Sequence, residues 1–335
     1  MKKALKITAL TVGILVVVLI VGFVSLYAAT DGDHAVPATV ADDPSLPRLE
    51  LNGYTFHAET FGNPANPTVI VLHGGPGGDY QSLLNLQELS DEYFVVFYDQ
   101  RGSGLSERVP ADEVNYPLTL QDLDAIVDHF GEGEPVHLVG HSWGGILASA
   151  YLGYAPGKVD KAVLAEPGFL DADGFAAWQE TYNSFMSGPS YLWLALRSGF
   201  EAQHVTGPDA YASEDYLVGV PILHAFTNHP DNPYHCPGEA FDAPMTRWGT
   251  TAANAIQSSA SEDDLNAISA HAADYAGPVL FLASECNTWI GEPLQAQHAA
   301  RYPNAELTVI ADAGHAMFWD NPSASLTAVR SFLGK

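Results

Sequence analysis

The sequence predicts an α/β architecture: a mostly parallel sheet covered by helices on both faces, with a helical insertion between two of its strands. Three observations carry this. Continuous apolar runs such as Thr68-Val69-Ile70-Val71-Leu72 and Tyr93-Phe94-Val95-Val96-Phe97-Tyr98 have the length and composition of parallel strands buried on both sides. Segments of helical period alternate with them, as in 118–130, where Leu120, Leu123, Ile126, Val127 and Phe130 fall on one face. From Gly168 to about Asp264 the alternation stops, and a stretch without strand signals carries many aromatics, among them Phe169, Phe175, Trp178, Tyr182 and Trp193.

Taken in order, residues 1–30 open with Lys2, Lys3 and Lys6 and continue as an uncharged apolar run from Ile7 to Ala29. About 20 apolar residues cross a bilayer, whereas a cleaved signal peptide has an apolar core of about 7 to 15. The run therefore reads first as an uncleaved membrane anchor, with a long signal peptide as the alternative. Lysines ahead of the run hold that end in the cytoplasm, which places the remainder of the chain outside it. Residues 31–47 are rich in Pro, Asp, Ala and Thr without apolar period, the composition of a tether. The domain begins at Arg48: 49–51 and 54–58 alternate as exposed hairpin strands do, and residues 48–166 make the first part of the core. Further strands are predicted at 136–139, 162–164, 279–282 and 307–310, so residues 265–335 complete the sheet after a cap over 167–264.

At 335 residues and 47% hydrophobic content, the chain can bury a large core. Its 40 acidic residues against 13 basic give a net charge of −27, which repels phosphate backbones and disfavours nucleic acid as a partner. His204, His224, His229 and His235 fall in the insertion without a metal-ligand spacing. Gly74 to Gly78 lacks both the G-x-G-x-x-G spacing of a dinucleotide site and the lysine of a P-loop, so neither metal nor cofactor is expected.

Chemistry concentrates at Gly140-His141-Ser142-Trp143-Gly144, which follows the apolar run 135–139 and precedes the helix-like 145–150. In that strand–turn–helix setting a G-x-S-x-G places the serine on a sharp turn with its hydroxyl exposed, so Ser142 reads as a nucleophile. A serine nucleophile needs a base, a group that orients the base, and two N–H donors for the oxyanion. His315 is the candidate base, because Asp312-Ala313-Gly314-His315 lies just beyond the last strand, at the carboxyl edge where open sheets gather catalytic groups. Trp143, directly after the nucleophile, supplies one N–H. The other is assigned to Gly75 in His73-Gly74-Gly75-Pro76-Gly77-Gly78, whose glycines can present backbone to a ligand.

These motifs, with Asp99-Gln100-Arg101-Gly102-Ser103-Gly104 after the next strand, resemble the α/β-hydrolase fold and within it the proline iminopeptidase group of serine peptidases. The resemblance covers about Arg48 to Glu166 and Pro278 to the C-terminus. It implies removal of an N-terminal residue, often proline, from short peptides under a helical cap. Glu180 in that cap is the candidate partner for a substrate ammonium. A carboxylesterase or amidase on small acyl substrates is the alternative, since the cap alone decides, and a catalytically inactive binding protein is a third reading. His73, Asp99 and Arg101 read as braces rather than catalysts.

The sequence departs from the family where the triad acid is expected. Ala283-Ser284-Glu285-Cys286-Asn287 places Asn287 in that slot, and an amide cannot stabilise imidazolium as a carboxylate does. Glu166, after the strand 162–164, is the first candidate for a displaced acid, as in haloalkane dehalogenases, which the chain resembles in this placement. Glu285 is the second, and Asn287 itself the remaining possibility. Cys236 in the insertion and Cys286 in the altered loop would, if bonded, clip cap to site; two free thiols are the alternative.

Overall fold

The computed structural model describes residues 2–227, 232–239 and 242–335, so His229 lies outside the described residues. Eight strands form one sheet: β1 (Arg48–Leu51), β2 (Tyr54–Phe61), β3 (Thr68–Leu72), β4 (Phe94–Tyr98), β5 (Val136–His141), β6 (Val159–Ala165), β7 (Val279–Ser284) and β8 (Ala305–Ile310). Their order is β1-β2-β4-β3-β5-β6-β7-β8. β1 and β2 run antiparallel to their neighbours, and every pairing from β4 to β8 is parallel. The hairpin between β1 and β2 turns on Asn52 and Gly53, both at positive φ (53° and 78°), as a two-residue primed turn needs.

Side chains alternate across the sheet, so the buried strands feed two cores. Val69, Val71, Val95, Phe97, Leu280 and Leu282 meet α10 (Met317–Asp320), α11 (Pro322–Leu333) and the segment 81–91 on one face. Ile70, Leu72, Val96, Tyr98, Leu138 and Leu164 meet α2 (Tyr116–Gly131) and α3 (Trp143–Tyr154) on the other. Most strands exceed the predicted runs at their ends: β6 begins at Val159 although Asp160 and Lys161 interrupt its apolar pattern, because continuous burial starts only at Ala162.

The insertion is helical, with α4 (Ala172–Phe185), α5 (Gly188–Glu201) and α6 (Ala212–Thr227) standing over the carboxyl edge of the sheet. α7 (Thr250–Ser259) and α8 (Glu262–Ala270) return to the core ahead of the boundary expected at 264, since Ala252, Ile256, Leu265 and Ile268 join the α2/α3 core. α9 (Glu292–Ala299) then connects β7 to β8.

α1 (Lys2–Ala29) is a helix whose segment Leu5–Ala29, of mean hydropathy 2.9, is long and apolar enough to cross a membrane, and its side chains are exposed along its length. At its end Phe23 and Tyr27 pack on Phe200 and His204 of the cap, with ring centroids 5.0 and 4.3 Å apart. The segment 31–47 is not the free tether its composition predicts. Thr39 and Val40 are buried, Val40 N–H donates to the Leu105 carbonyl, and the Pro37 carbonyl accepts from Arg247. Composition reports the lack of apolar period but not these long-range partners.

Arg247 is the node of that contact. Its guanidinium, fully buried, donates to both oxygens of Asp209 (2.7 and 2.9 Å) and to Asp215 (2.8 Å), which also accepts from Arg108 (2.9 Å). Removing one member of a buried ion cluster strands the others, at about 3–5 kcal/mol. Arg247→Leu is expected to lower unfolding free energy by that order in denaturant titration, and a change under about 1 kcal/mol would contradict the role given to this cluster.

Candidate active site

Ser142 stands between β5 and α3 at φ 55°, ψ −119°, a conformation that costs a residue with a Cβ about 1–3 kcal/mol and needs support from its surroundings. The support is backbone. Ser142 N–H donates to the Ala165 carbonyl (2.8 Å), and its own carbonyl accepts from Gly145 and Ile146. A Cβ on Gly140 would lie 2.3 Å from the Gly144 carbonyl oxygen and one on Gly144 would lie 2.0 Å from the Leu72 oxygen, so both positions require glycine.

Gly75 follows β3 at φ 50°, packed under the Trp248 ring, which a Cβ there would strike at 2.9 Å. Trp143 opens α3, where first-turn N–H groups have no acceptor within the helix. Its indole donates to Gln100 (2.9 Å), which donates to the His73 carbonyl and, through its backbone, to His73 Nε2. His73 is thus scaffold, as are Asp99, bound to His57, Tyr80 N–H and Leu105 N–H, and Arg101, paired with Asp122.

His315 Nδ1 lies 2.8 Å from Glu166 Oε2. Glu166 is completely buried at the end of β6, at φ 45°, and accepts from Ser284 N–H (2.7 Å), Ser284 Oγ (2.6 Å) and Asn287 Nδ2 (2.7 Å). Asn287 also caps its own turn, its Oδ1 accepting from Trp289 and Ile290 N–H (both 3.0 Å). Glu285 instead accepts from Asp312 N–H (3.0 Å), where it stiffens the loop ahead of the histidine. Of the three candidate acids, the structure sets Glu166 against His315, uses Asn287 as a donor to Glu166, and leaves Glu285 on the loop surface.

Burial pushes the Glu166 carboxyl up to about 7, and its hydrogen bonds from Ser284 and Asn287 oppose that rise. Burial also pushes the His315 imidazole well below its ordinary range, so it rests neutral, the form that can accept a proton. Two groups this close take up protons as a pair.

Ser142, Trp143, Gly75 and His315 line one cavity of about 430 Å³ between sheet edge and cap. Its walls are mainly apolar, with Phe169, Phe175, Trp178, Tyr182, Trp248 and Leu265 prominent. Among the described residues, Asp79 is the one carboxylate in the lining, and it accepts from the backbone N–H groups of Gln81, Thr246 and Arg247. Glu180 does not reach this cavity: it lies exposed on α4, whose inward positions are Trp178 and Tyr182. No group of metal-ligating side chains occurs among the described residues.

A family model described as the alpha/beta hydrolase fold matches residues 67–322. The chain belongs to the α/β-hydrolase family. Over 111 residues it is 40% identical to a proline iminopeptidase of Heyndrickxia coagulans, across 31% of this chain and 36% of that protein. Over 122 residues it is 36% identical to epoxide hydrolase 4 of Mus musculus, across 34% of this chain and 33% of that protein. The chain thus spans about a third of the length of these curated relatives, and relatives of differing activity match almost equally. A solved structure of a proline iminopeptidase-related protein from Thermus thermophilus matches with a TM-score of 0.58 at 20% identity, over 87% of this chain and 97% of that one, which shows the fold.

In this α/β-hydrolase Cys236 and Cys286 are bonded, their Cα atoms 4.7 Å apart. Sequence reasoning did not find Asn287 as a donor, Ser284, or the cap contacts of Tyr234 and Trp248, because each acts through a partner remote in the chain. The disulfide closes 50 residues, for which loop entropy gives about 4 kcal/mol. Cys236→Ser/Cys286→Ser is expected to lose about that much stability in denaturant titration, and the unreduced protein to show no free thiol by mass spectrometry.

Proposed function

We propose that this chain is an exported, membrane-tethered serine hydrolase that cleaves esters or amides of small, uncharged, apolar acyl compounds. Ser142 Oγ attacks the acyl carbon, His315 takes its proton and returns it to the leaving group, and Glu166 orients the imidazole and stabilises its cation. Backbone N–H groups of Gly75 and Trp143 hold the oxyanion. Water then releases the acyl group from Ser142 by the same steps. The observation that carries this reading is the His315–Glu166 pair, 2.8 Å apart, beside a strained serine in a cavity walled by aromatic rings.

The apolar walls favour the ester and amide reading. Few polar side chains interrupt those walls, and a substrate bound there is held mainly by its apolar surface. The second reading, an aminopeptidase, is favoured by the 40% identity to a proline iminopeptidase. It needs a counter-charge for a substrate ammonium, and the one carboxylate in the described lining, Asp79, already accepts from three backbone N–H groups.

A panel of p-nitrophenyl esters beside prolyl and alanyl arylamides separates the two. Ester turnover with arylamides untouched is expected, and efficient arylamide cleavage reverses the choice. Ser142→Ala should abolish both turnover and labelling by a fluorophosphonate; labelling that survives the substitution removes Ser142 as nucleophile. Glu166→Gln should lower kcat by about 10⁴, the order seen when a triad carboxylate becomes an amide.

The active pair is a neutral imidazole with an ionised carboxyl. Because Glu166 is raised to about 7, acidification below that value adds a proton to the pair and turns it off. The kcat/KM of a neutral ester should fall about tenfold per pH unit on the acid side, with a plateau above. The Asn287 hydrogen bond lowers the Glu166 pKa, so Asn287→Ala should move this limb to higher pH; a shift to lower pH would contradict the assignment.

A further inference from the structure

Residues 232–236 cross the loop that carries His315, and they are fastened on both sides. His315 N–H donates to the Tyr234 carbonyl (2.7 Å), and Thr288 N–H donates to the Pro233 carbonyl (2.9 Å). Gly314 lets the two strands of chain touch: a Cβ there would lie 2.5 Å from the Tyr234 oxygen and 2.9 Å from His235 Cα. Cys236 is bonded to Cys286, whose N–H donates to the Ala313 carbonyl in the same loop (3.0 Å). The strap is therefore latched to the β7 and β8 loops that hold Asn287 and His315.

What the strap delivers is the Tyr234 ring. It stacks on the His315 imidazole with centroids 4.3 Å apart and planes 20° apart. Behind it the column continues through Trp289 (4.8 Å), Trp178 (5.6 Å) and Tyr182 (4.9 Å), all near parallel. The Trp178 indole N–H donates to the Tyr234 hydroxyl (3.2 Å), which ties the far end of the side chain to α4. His141 also lies beside His315, with its ring centroid 4.6 Å from that of His315 and its Nε2 2.7 Å from the His315 carbonyl oxygen. The carboxylate of Glu166 fixes one nitrogen of the imidazole, and one hydrogen bond leaves a ring free to swing about it.

We propose that Tyr234 is a positioning residue for His315, and that the Cys236–Cys286 bond is the latch that holds it there. The tyrosine face blocks the swing that the Glu166 hydrogen bond permits. Its π-electrons also favour the imidazolium formed when Ser142 gives up its proton. This rests on the serine-hydrolase reading above. The contribution is to kcat, because Tyr234 acts on the base at the step where charge develops.

The test uses the full-length chain in detergent and two readouts: turnover of p-nitrophenyl butyrate, and the rate of labelling by a fluorophosphonate. In labelling, the Ser142 Oγ–P bond forms, the P–F bond breaks with loss of fluoride, and the serine proton passes to His315. Tyr234→Leu is expected to lower kcat and the labelling rate by about 10- to 100-fold, with KM within about threefold of the parent, whereas Tyr234→Phe, which keeps the ring, should restore both to within about threefold. Cys236→Ser/Cys286→Ser, which leaves Tyr234 intact, should lower the labelling rate about fivefold or more. A folded Tyr234→Leu that labels at the parental rate overturns the positioning role, as does a Tyr234→Phe as impaired as Leu. Should Tyr234→Leu not fold, the cysteine pair decides: parental labelling by that variant overturns the latch. A parent protein that neither labels nor turns over overturns the serine-hydrolase reading itself, a failure distinguishable from loss of Tyr234's role alone.

Discussion

Where α3 begins, its backbone passes so close to β3 that no side chain fits between them. The Cβ that Gly144 lacks would sit 2.0 Å from the Leu72 carbonyl oxygen. Bringing the helix this near forces Ser142 into the turn that joins it to β5, at φ 55°. A residue with a Cβ holds such a conformation only where its surroundings over-determine it. Here the same backbone contact that strains the serine also stacks the helix N-terminus over the end of β3, so Gly75 and the first turn of α3 line one cavity. Every other group at the site is placed relative to this contact.

The placement propagates across the sheet edge one strand at a time. Ser142 N–H donates to Ala165 at the end of β6, Glu166 N–H to Leu282 in β7, and Glu285 N–H to Ile310 in β8. Each residue that leaves a strand is thus tied to the next strand over. Ser142, Glu166 and Asp312 follow three of these strand ends, and all have positive φ. Glu166 in turn explains Asn287. A buried carboxylate accepting from Ser284 has room for another donor, and an aspartate at 287 would set a second negative charge against it at contact distance, in a region where burial already disfavours the first. The amide removes the repulsion and adds a hydrogen bond.

Ser142, Gly75 and His315 were legible because each depends on local order, a strand followed by a turn or a loop, and local order is written contiguously. Glu166 was legible only by inference from the missing carboxylate at 287. Glu180 is a cap carboxylate only two residues from the cavity-lining Trp178, but two positions along a helix turn a side chain well away from its neighbour's face. Segment 31–47 carries no periodic signal, yet it is held by Leu105 and by Arg247, the latter 210 residues from its partner Pro37. Tyr234 was equally silent, since nothing adjacent to it announces an imidazole that comes from the far end of the chain.

Charge is distributed so that the cavity carries little of it. Of the few cations, Arg101, Arg108, Arg247 and Arg301 are held in pairs with Asp122, Asp215, Asp209 and Asp171 that brace the loops and cap, and none of them lines the cavity. A surface of net charge −27 repels anions before they reach the mouth. A cationic substrate is drawn to that surface, but inside it meets aromatic walls and one carboxylate already occupied by backbone donors. Moving an ammonium from water to such a site without a free partner is costly, whereas a neutral acyl compound sheds water only from apolar surface, a transfer that burial favours. On the serine-hydrolase reading proposed above, the same burial that leaves the imidazole neutral and ready to accept a proton would favour a neutral substrate.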